Sequence, residues 1–301
     1  MKMVLFYDDS RFWTVGSFIK KVLERDPKIE IVAHGRIPED VGIVENDKLM
    51  EETDFVLVID SSTHYKLHHG SNILKKHQVK TAFWISDTHR HDWLSWRLQM
   101  ISEWHYDHVF VCQKDAIDLV KNCGYKDHEI SWLPHAVDTE IFRYEPQFQK
   151  KCDVATVGFR NPKRDEYFPH LAKIVEFKEG HNLWAWSASR FYNEAKMGLN
   201  LSVTNDYLNM RTFEVPACKI PLVASCNRKN DNGFSKIFTD GKDCLVYENI
   251  DEMKEIVVRL LCNPDLYEMI KNNGYTNVLT NHTYKNRCNT ILATMGFEML
   301  A

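Results

Sequence analysis

At 301 residues the chain has room for about two domains of roughly 150 residues each, and its 44% hydrophobic and 27% charged residues are ordinary for a globular protein with real cores. A formal net charge of −4 argues against a broadly basic surface that coats nucleic acid. No apolar run nears the ~20 residues of a membrane span, and MKMVLFYDDSRF has too short an apolar stretch for a signal peptide, so it reads as a first buried strand.

The first half alternates strand and helix patterns. Strands are expected at 2–7, 29–33, 55–59, 80–86, 108–112 and 130–133, and helices at 13–24, 65–76, 93–102 and 115–123. Continuous apolar strands alternating with helices indicate a parallel sheet covered on both faces, a Rossmann-like doubly wound α/β unit in the loose sense. Residues 134–153 lose periodicity and are expected to link two domains. The second half resumes with a strand at 154–157, then Gly158, a basic loop from Arg160 to Arg164, and a helix at 165–174; residues 175–190 are ambiguous. Strands at 199–203, 222–225 and 244–247 and helices at 209–218, 251–262, 264–273 and 284–295 complete the chain, with Pro264 in a first turn and Gly274 as a C-terminal cap. The expected domains are 1–140 and 150–285, Rossmann-like and facing each other across a cleft where a ligand is expected, with 286–301 packing back toward the first.

With only 12 glycines the chain has no G-x-G-x-x-G after its first strand and no G-x-x-x-x-G-K-[ST], which disfavours a dinucleotide dehydrogenase and a P-loop ATPase. The absence of G-x-S-x-G disfavours a serine hydrolase. Eight scattered cysteines form no C-x-x-C pair, and buried free thiols in a reducing cytoplasm account for them.

Two stretches carry polar groups where strand ends gather ligands. In the first, Asp87, His89, His91 and Asp92 follow an apolar strand and admit three readings: acid–base or substrate contact, a metal site, or a polar loop. Trp84, Trp93, Trp96 and Trp104 surround it as core and cleft wall. His64 and His68 share a helical face without the H-E-x-x-H glutamate, a solvated or partly buried face before a metal site. In the second, Asn205, Asp206, Asn209, Arg211 and Glu214 lie within ten residues. Arg211 and Glu214 are three apart and share a helix face, either as an intrahelical ion pair or as a phosphate fork and a sugar-diol acceptor. Arg160, Lys163 and Arg164 are a charged loop alone, and a phosphate clamp if they stand opposite Arg211.

Several segments resemble the GT-B glycosyltransferases of group 1, in particular the CgeB-like (spore-maturation-protein-like) family. L-P-H-A-V-D with Phe142 (133–142), V-G-F-R-N-P-K-R (157–164), A-K-M-G-L-N (195–200) and R-T-F-E-V-P-A-C (211–218) match that family's motifs in order. F-x-D-G-K-D-C-L-V-Y (238–247) and N-G-Y-x-x-V-x-x-x-H-T-Y-x-x-R (273–287) match its tail. The first half is similar mainly in architecture, plus Trp84 and Asp87. The resemblance implies transfer of a sugar from a nucleotide-diphosphate-sugar co-substrate, a UDP-sugar or similar, with no intrinsic cofactor or metal. It implies that Gly158, Arg160, Lys163, Arg164, Asn205, Arg211 and Thr212 line the donor, that Glu214 holds the ribose, and that Asp206 contacts the sugar. Asp87 or His89 is the candidate base, and Trp84, His91, Asp92 and His135 lie toward the cleft or acceptor. The acceptor is open among glycan, protein, metabolite and modified nucleobase, as is the oligomeric state. An inactive nucleotide-sugar-binding module and a metal-dependent hydrolase on the Asp87–Asp92 loop are the alternatives. The chain departs from the family at Lys219, where a glycine permits a tight turn, and residues 165–190 are short for the usual complement of elements.

Overall fold

Strands with apolar residues on both faces must be covered on both sides, and two such sheets organise the chain. The computed structural model describes residues 1–35, 42–59, 70–86, 91–202 and 208–300, with backbone alone for 70–72 and 91–93. It divides into one unit of Met1–Pro134 with Tyr284–Ala301 and another of His135–Thr283.

The first unit runs β1 (Lys2–Phe6), α1 (Val15–Leu23), β2 (Glu30–Gly35), α2 (Gly42–Glu45), α3 (Asp47–Glu51), β3 (Phe55–Ile59), α4 (Gly70–Lys76), β4 (Lys80–Ile85), α5 (His91–Trp104), β5 (His108–Val111), α6 (Ala116–Lys121) and β6 (Ile130–Trp132). Its sheet is parallel, in the order β2-β1-β3-β4-β5-β6. Alternation along the strands sends Val4, Phe6, Val56, Val58, Phe83 and Ile85 into one core. Met3, Phe55 and Leu57 meet Ile19 and Leu23 of α1 on the other face, together with Cys288, Ile291 and Leu292 near the chain's end.

The second unit runs β7 (Cys152–Val157), α7 (Pro162–Ala172), β8 (Phe177–Gly180), α8 (Trp186–Asn193), β9 (Ala195–Asn200), α9 (Arg211–Ala217), β10 (Leu222–Ser225), β11 (Leu245–Tyr247), α10 (Ile250–Cys262) and α11 (Pro264–Asn281). Its parallel sheet has the order β11-β10-β9-β7-β8. The last helix, α12 (Tyr284–Thr294), belongs to the first unit, where the Tyr284 ring meets Phe18 at 5.0 Å and Arg287 Nε donates to the Pro134 carbonyl at 2.7 Å. Among the described residues no helix is long and apolar enough to cross a membrane.

The doubly wound α/β class is therefore as expected, while several local features differ. The first five strands of each sheet follow a 2-1-3-4-5 order, which the alternation of elements in the sequence leaves open. The ambiguous 175–190 stretch contains β8 and the start of α8. The expected linker is packed: Ala136, Val137, Ile141 and Phe142 are buried, the Val137 amide donates to the His282 carbonyl, and Asn193 holds both the Glu145 amide and the Arg143 carbonyl. Gly274 is not a cap. It lies inside α11, where an added Cβ would stand 2.6 Å from the Asp243 carbonyl, so its role is close backbone approach.

Candidate functional site

A 2-1-3-4-5 sheet has its switch point between the first and third strands, and ligands gather there beyond the carboxyl ends. In the second unit that point lies between β7 and β9, where the loop after Val157 and the start of α9 converge.

Asn161 caps α7 by accepting from the Arg164 amide at 3.0 Å, and Pro162 fills the first turn, which has no use for its missing N–H. This cap sets Arg164 one turn into the helix with its guanidinium folded back on the loop. There it lies against Gly158, whose backbone has φ +150° and where an added Cβ would fall 2.5 Å from Nη2. Only glycine suits both the conformation and the close approach. Arg164 is 4% exposed; Nη2 donates to the Val157 carbonyl at 3.3 Å, and the Phe168 ring lies 5.6 Å away. Among the described residues no carboxylate pairs with it and Nε has no partner. Burial pushes its pKa down from the ordinary arginine range.

Arg160, four residues earlier, is the opposite case. It is exposed, and Asp165 and Glu179 take its guanidinium at 2.6 and 3.4 Å. Of the basic loop expected to meet a diphosphate, Arg164 is the buried charge, with no carboxylate partner among the described residues. Lys163 is half-buried on the same first turn.

On α9 the structure shows the ion-pair reading of Arg211 and Glu214. The residues form an i, i+3 ion pair, and Glu214 is 1% exposed. Burial raises the Glu214 carboxyl against the pull of the Arg211 charge, while for Arg211 burial is outweighed by the Glu214 carboxylate and its pKa goes up. Neutralising Glu214 would strand a buried guanidinium, so each charge of the pair supports the other. Oε2 serves Arg211, and Oε1 makes no bond among the described residues. Tyr192, fully buried, lies within electrostatic reach of Arg211, Glu214 and Arg164, and its hydroxyl has no partner among the described residues. Burial raises its pKa.

Thr212 faces a different task. Its buried hydroxyl accepts from Asn200 Nδ2 at 3.0 Å, Asn200 Oδ1 accepts from Asn209, and Asn209 Oδ1 caps the Thr212 amide. This strap fixes the start of α9 to the end of β9, positioning the ion pair. Asn205 and Asp206, on the same connection, lie outside the described residues.

In the first unit, Asp87 and His89 lie outside the described residues, and His91 and Asp92 open α5 with only their backbone described. Trp84, expected at the cleft or acceptor side, is sealed in the core at zero exposure with its indole N–H donating to the Leu133 carbonyl at 3.0 Å. It alternates with Phe83 and Ile85 on β4, so its ring lies on the opposite face of a sheet that is covered on both sides. His135 is half-buried at the start of the second unit. Among the described residues no three His, Cys, Asp or Glu side chains gather as metal ligands. Tyr192 and Asn200 were not singled out from sequence, since a tyrosine before a strand and an asparagine ending one are unremarkable until the fold brings them to Arg211.

Comparison with known proteins fits this geometry. Residues 150–293 match a family model described as glycosyl transferase-like. The whole fold is that of the GT-B glycosyltransferases. HepE of Anabaena, solved in complex with UDP-glucose, is similar with a TM-score of 0.70 at 10% identity, over 98% of this chain and 99% of that one. A glycosyltransferase from Rickettsia africae gives 0.67 at 11% identity over 98% and 97%. A DNA-modifying beta-glucosyltransferase gives 0.60 at 13% identity over 99% and 100%. No curated protein matches the sequence.

Proposed function

We propose that this chain is a glycosyltransferase that moves a sugar from a nucleotide-diphosphate sugar, a UDP-sugar in the first instance, to an acceptor of open identity, within the CgeB-like branch of group 1. The observation that carries the reading is Arg164: a buried guanidinium with no carboxylate partner among the described residues, beside a buried Arg211–Glu214 pair and a tyrosine hydroxyl that has no partner among those residues either, at the switch point of a parallel sheet. Among the described residues Arg164 has no anion of its own. A diphosphate supplies one, and its charge grows as the sugar–phosphate bond breaks, so a fixed cation stabilises the transition state more than the ground state. Arg164 and Arg211 hold the diphosphate in this reading, the open oxygen of Glu214 takes a ribose hydroxyl, and Asp206 reaches the sugar. Asp87 or His89 receives the acceptor proton. The charge comes from the protein's own arginines, so turnover persists in a chelator. HepE, with UDP-glucose bound in the same fold, supports the choice of donor.

The test is titration of UDP-glucose and other nucleotide sugars into the wild type and Arg164→Met by calorimetry, with donor hydrolysis or transfer followed in parallel. Arg164→Met is expected to lose donor binding by a hundredfold or more on the scale of a lost buried charge contact, about 3 kcal/mol. It should keep or gain stability, since an unpaired buried charge is replaced by an apolar side chain. Donor turnover undiminished in Arg164→Met sinks the reading.

A further inference from the structure

The first unit carries an open cavity of about 630 Å³ at the amino ends of its strands, the end of the sheet opposite to its crevice. That volume is within the range of sites that hold a small molecule. Lys80 begins β4, Asp107 stands just before β5 and Glu129 just before β6, so three adjacent strand beginnings line it. The chain leaving α4 and α5 completes the wall.

Both helices stop at this cavity in the same unusual way. Gln78 closes α4 at φ +55°, its amide donating to the Lys75 carbonyl while the Val79 amide donates to that of Leu74. His105 closes α5 at φ +51°, its amide on the Ile101 carbonyl. Glycine is the usual residue at such left-handed helix ends, because a Cβ there is unfavourable. The chain places a polar side chain at each, and both line the cavity. The His105 ring is held by stacking on Tyr125, with centroids 5.1 Å apart and planes at 25°, and the Tyr125 hydroxyl takes the next amide, that of Tyr106, at 2.8 Å. Backbone strain of this kind clusters at ligand sites.

Charge is sorted along the wall. Lys75, Gln78 and Lys80 stand at the β4 end, and among the described residues no carboxylate pairs with either lysine. The Lys80 ammonium is steadied by one N–H given to the Met295 carbonyl at 2.7 Å and by the Phe297 ring at 4.8 Å, which leaves it two further donors. Asp107 and Glu129 stand at the β5 and β6 end. Asp107 Oδ2 accepts from the Thr81 amide and hydroxyl at 2.7 and 2.9 Å, and Glu129 Oε2 from the Lys126 amide at 2.7 Å. The second oxygen of each accepts no hydrogen bond among the described residues. Cations at one end and carboxylate oxygens at the other fit a ligand with an anion on one side and hydroxyls on the other. An ammonium at the carboxylate end would compete with His105 and His128, which already lie within electrostatic reach of Glu129. A hydroxyl donates to the same oxygens without adding charge. We propose that this cavity is a binding site for a sugar phosphate, with the phosphate on Lys75, Lys80 and the Gln78 amide and the sugar hydroxyls on Asp107 and Glu129. The site lies within the first unit and is independent of the donor reading.

The experiment is calorimetric titration of glucose 1-phosphate, glucose 6-phosphate and ribose 5-phosphate, with inorganic phosphate and glucose as controls, into the wild type, Lys75→Met, Gln78→Gly, Glu129→Gln and Arg164→Met. Urea denaturation of each variant runs beside it. At least one sugar phosphate is expected to bind one equivalent, more tightly than phosphate or glucose alone. Lys75→Met, an exposed change, should weaken it roughly tenfold or more, the scale of a lost hydrogen bond to a charged group. Gln78→Gly and Glu129→Gln should each weaken it about fivefold. Gln78→Gly also relieves the left-handed backbone, so its urea midpoint should hold or rise. A glutamine kept for the turn alone would leave binding unchanged in that variant. Arg164→Met should bind as the wild type does. The site is refuted if none of the three sugar phosphates binds at millimolar concentration, or if Lys75→Met binds them as the wild type does. Loss in Arg164→Met with none in the cavity variants would seat the sugar phosphate in the second unit, which refutes the site and leaves the donor reading standing.

Discussion

In both sheets the first strand lies between the second and the third, which leaves a crevice between β1 and β3 in one unit and between β7 and β9 in the other. The described part of the first crevice turns its charge on itself. Asp8, after β1, uses Oδ1 to accept from the Ser10 amide and hydroxyl at 3.0 and 2.6 Å, closing a local turn. The second crevice does the reverse and buries charge that the described residues answer only in part, in Arg164, Arg211 and Glu214. One topology thus gives two crevices, and the placement of charge, not the strand order, sets them apart.

The strongest way to break that contrast is to separate the ion pair. Glu214→Ala leaves Arg211 buried and unpaired, which is expected to cost about 3–5 kcal/mol of unfolding free energy. Replacing both, Arg211→Met with Glu214→Met, should recover most of that stability while donor binding stays lost. Urea denaturation with donor titration on the three proteins checks it. A double variant that binds donor normally would reduce the pair to a structural role.

Much of the fold is legible in the sequence because burial on both faces leaves few alternatives. FVLVI at 55–59 and LVAS at 222–225 are strands to the residue, since such a run between turn signals has nowhere to go but a sheet interior. The strand order is not legible, because the same alternation of elements builds either winding. The site divides in the same way. Spacing puts Arg211 and Glu214 on one face, a local fact. That Arg160 has carboxylate partners, and Arg164 none among the described residues, depends on Asp165 and Glu179 reaching the former, and the second of these lies on β8. Trp84 sits beside a polar loop in sequence, yet the ladder sends its ring inward.

Lys219 offers a smaller test of how the donor-side helix is held. It takes the place of the expected turn glycine and still makes the turn, with φ +56° and its amide donating to the Pro216 carbonyl at 2.8 Å. Its ammonium lies over Tyr144 and Tyr275 at 5.2 and 5.3 Å. Left-handed backbone costs about 1 kcal/mol, and two exposed cation–π contacts return about 0.5 kcal/mol each. Lys219→Gly, which relieves the backbone and loses the contacts, should therefore be close to neutral. Lys219→Ala keeps the strain without the contacts and should lose about 1 kcal/mol. Equal urea midpoints for Ala and Gly would show that the tyrosines, and not the backbone, decide this turn.

The smallest expected effect lies in the first unit, away from either crevice. His108 begins β5, is 6% exposed, and its Nε2 is 2.9 Å from Ser131 Oγ. Burial lowers its pKa, outweighing the raising influence of Glu129, and nearby His128 lowers it further. The unfolded chain then holds a proton on this ring near pH 6.5, where the folded chain does not. Between the folded and unfolded values the unfolded state binds more protons, so stability falls with falling pH. The contribution is fully present above about pH 6.5 and is lost as the pH drops through the lower folded value. His108→Gln removes the titration and keeps a polar group for Ser131. Between pH 7.5 and 5.5 the urea midpoint of the wild type should consequently fall further than that of the variant. Parallel lines would mean that the ring charges within the fold at no cost, which its burial among strand ends argues against.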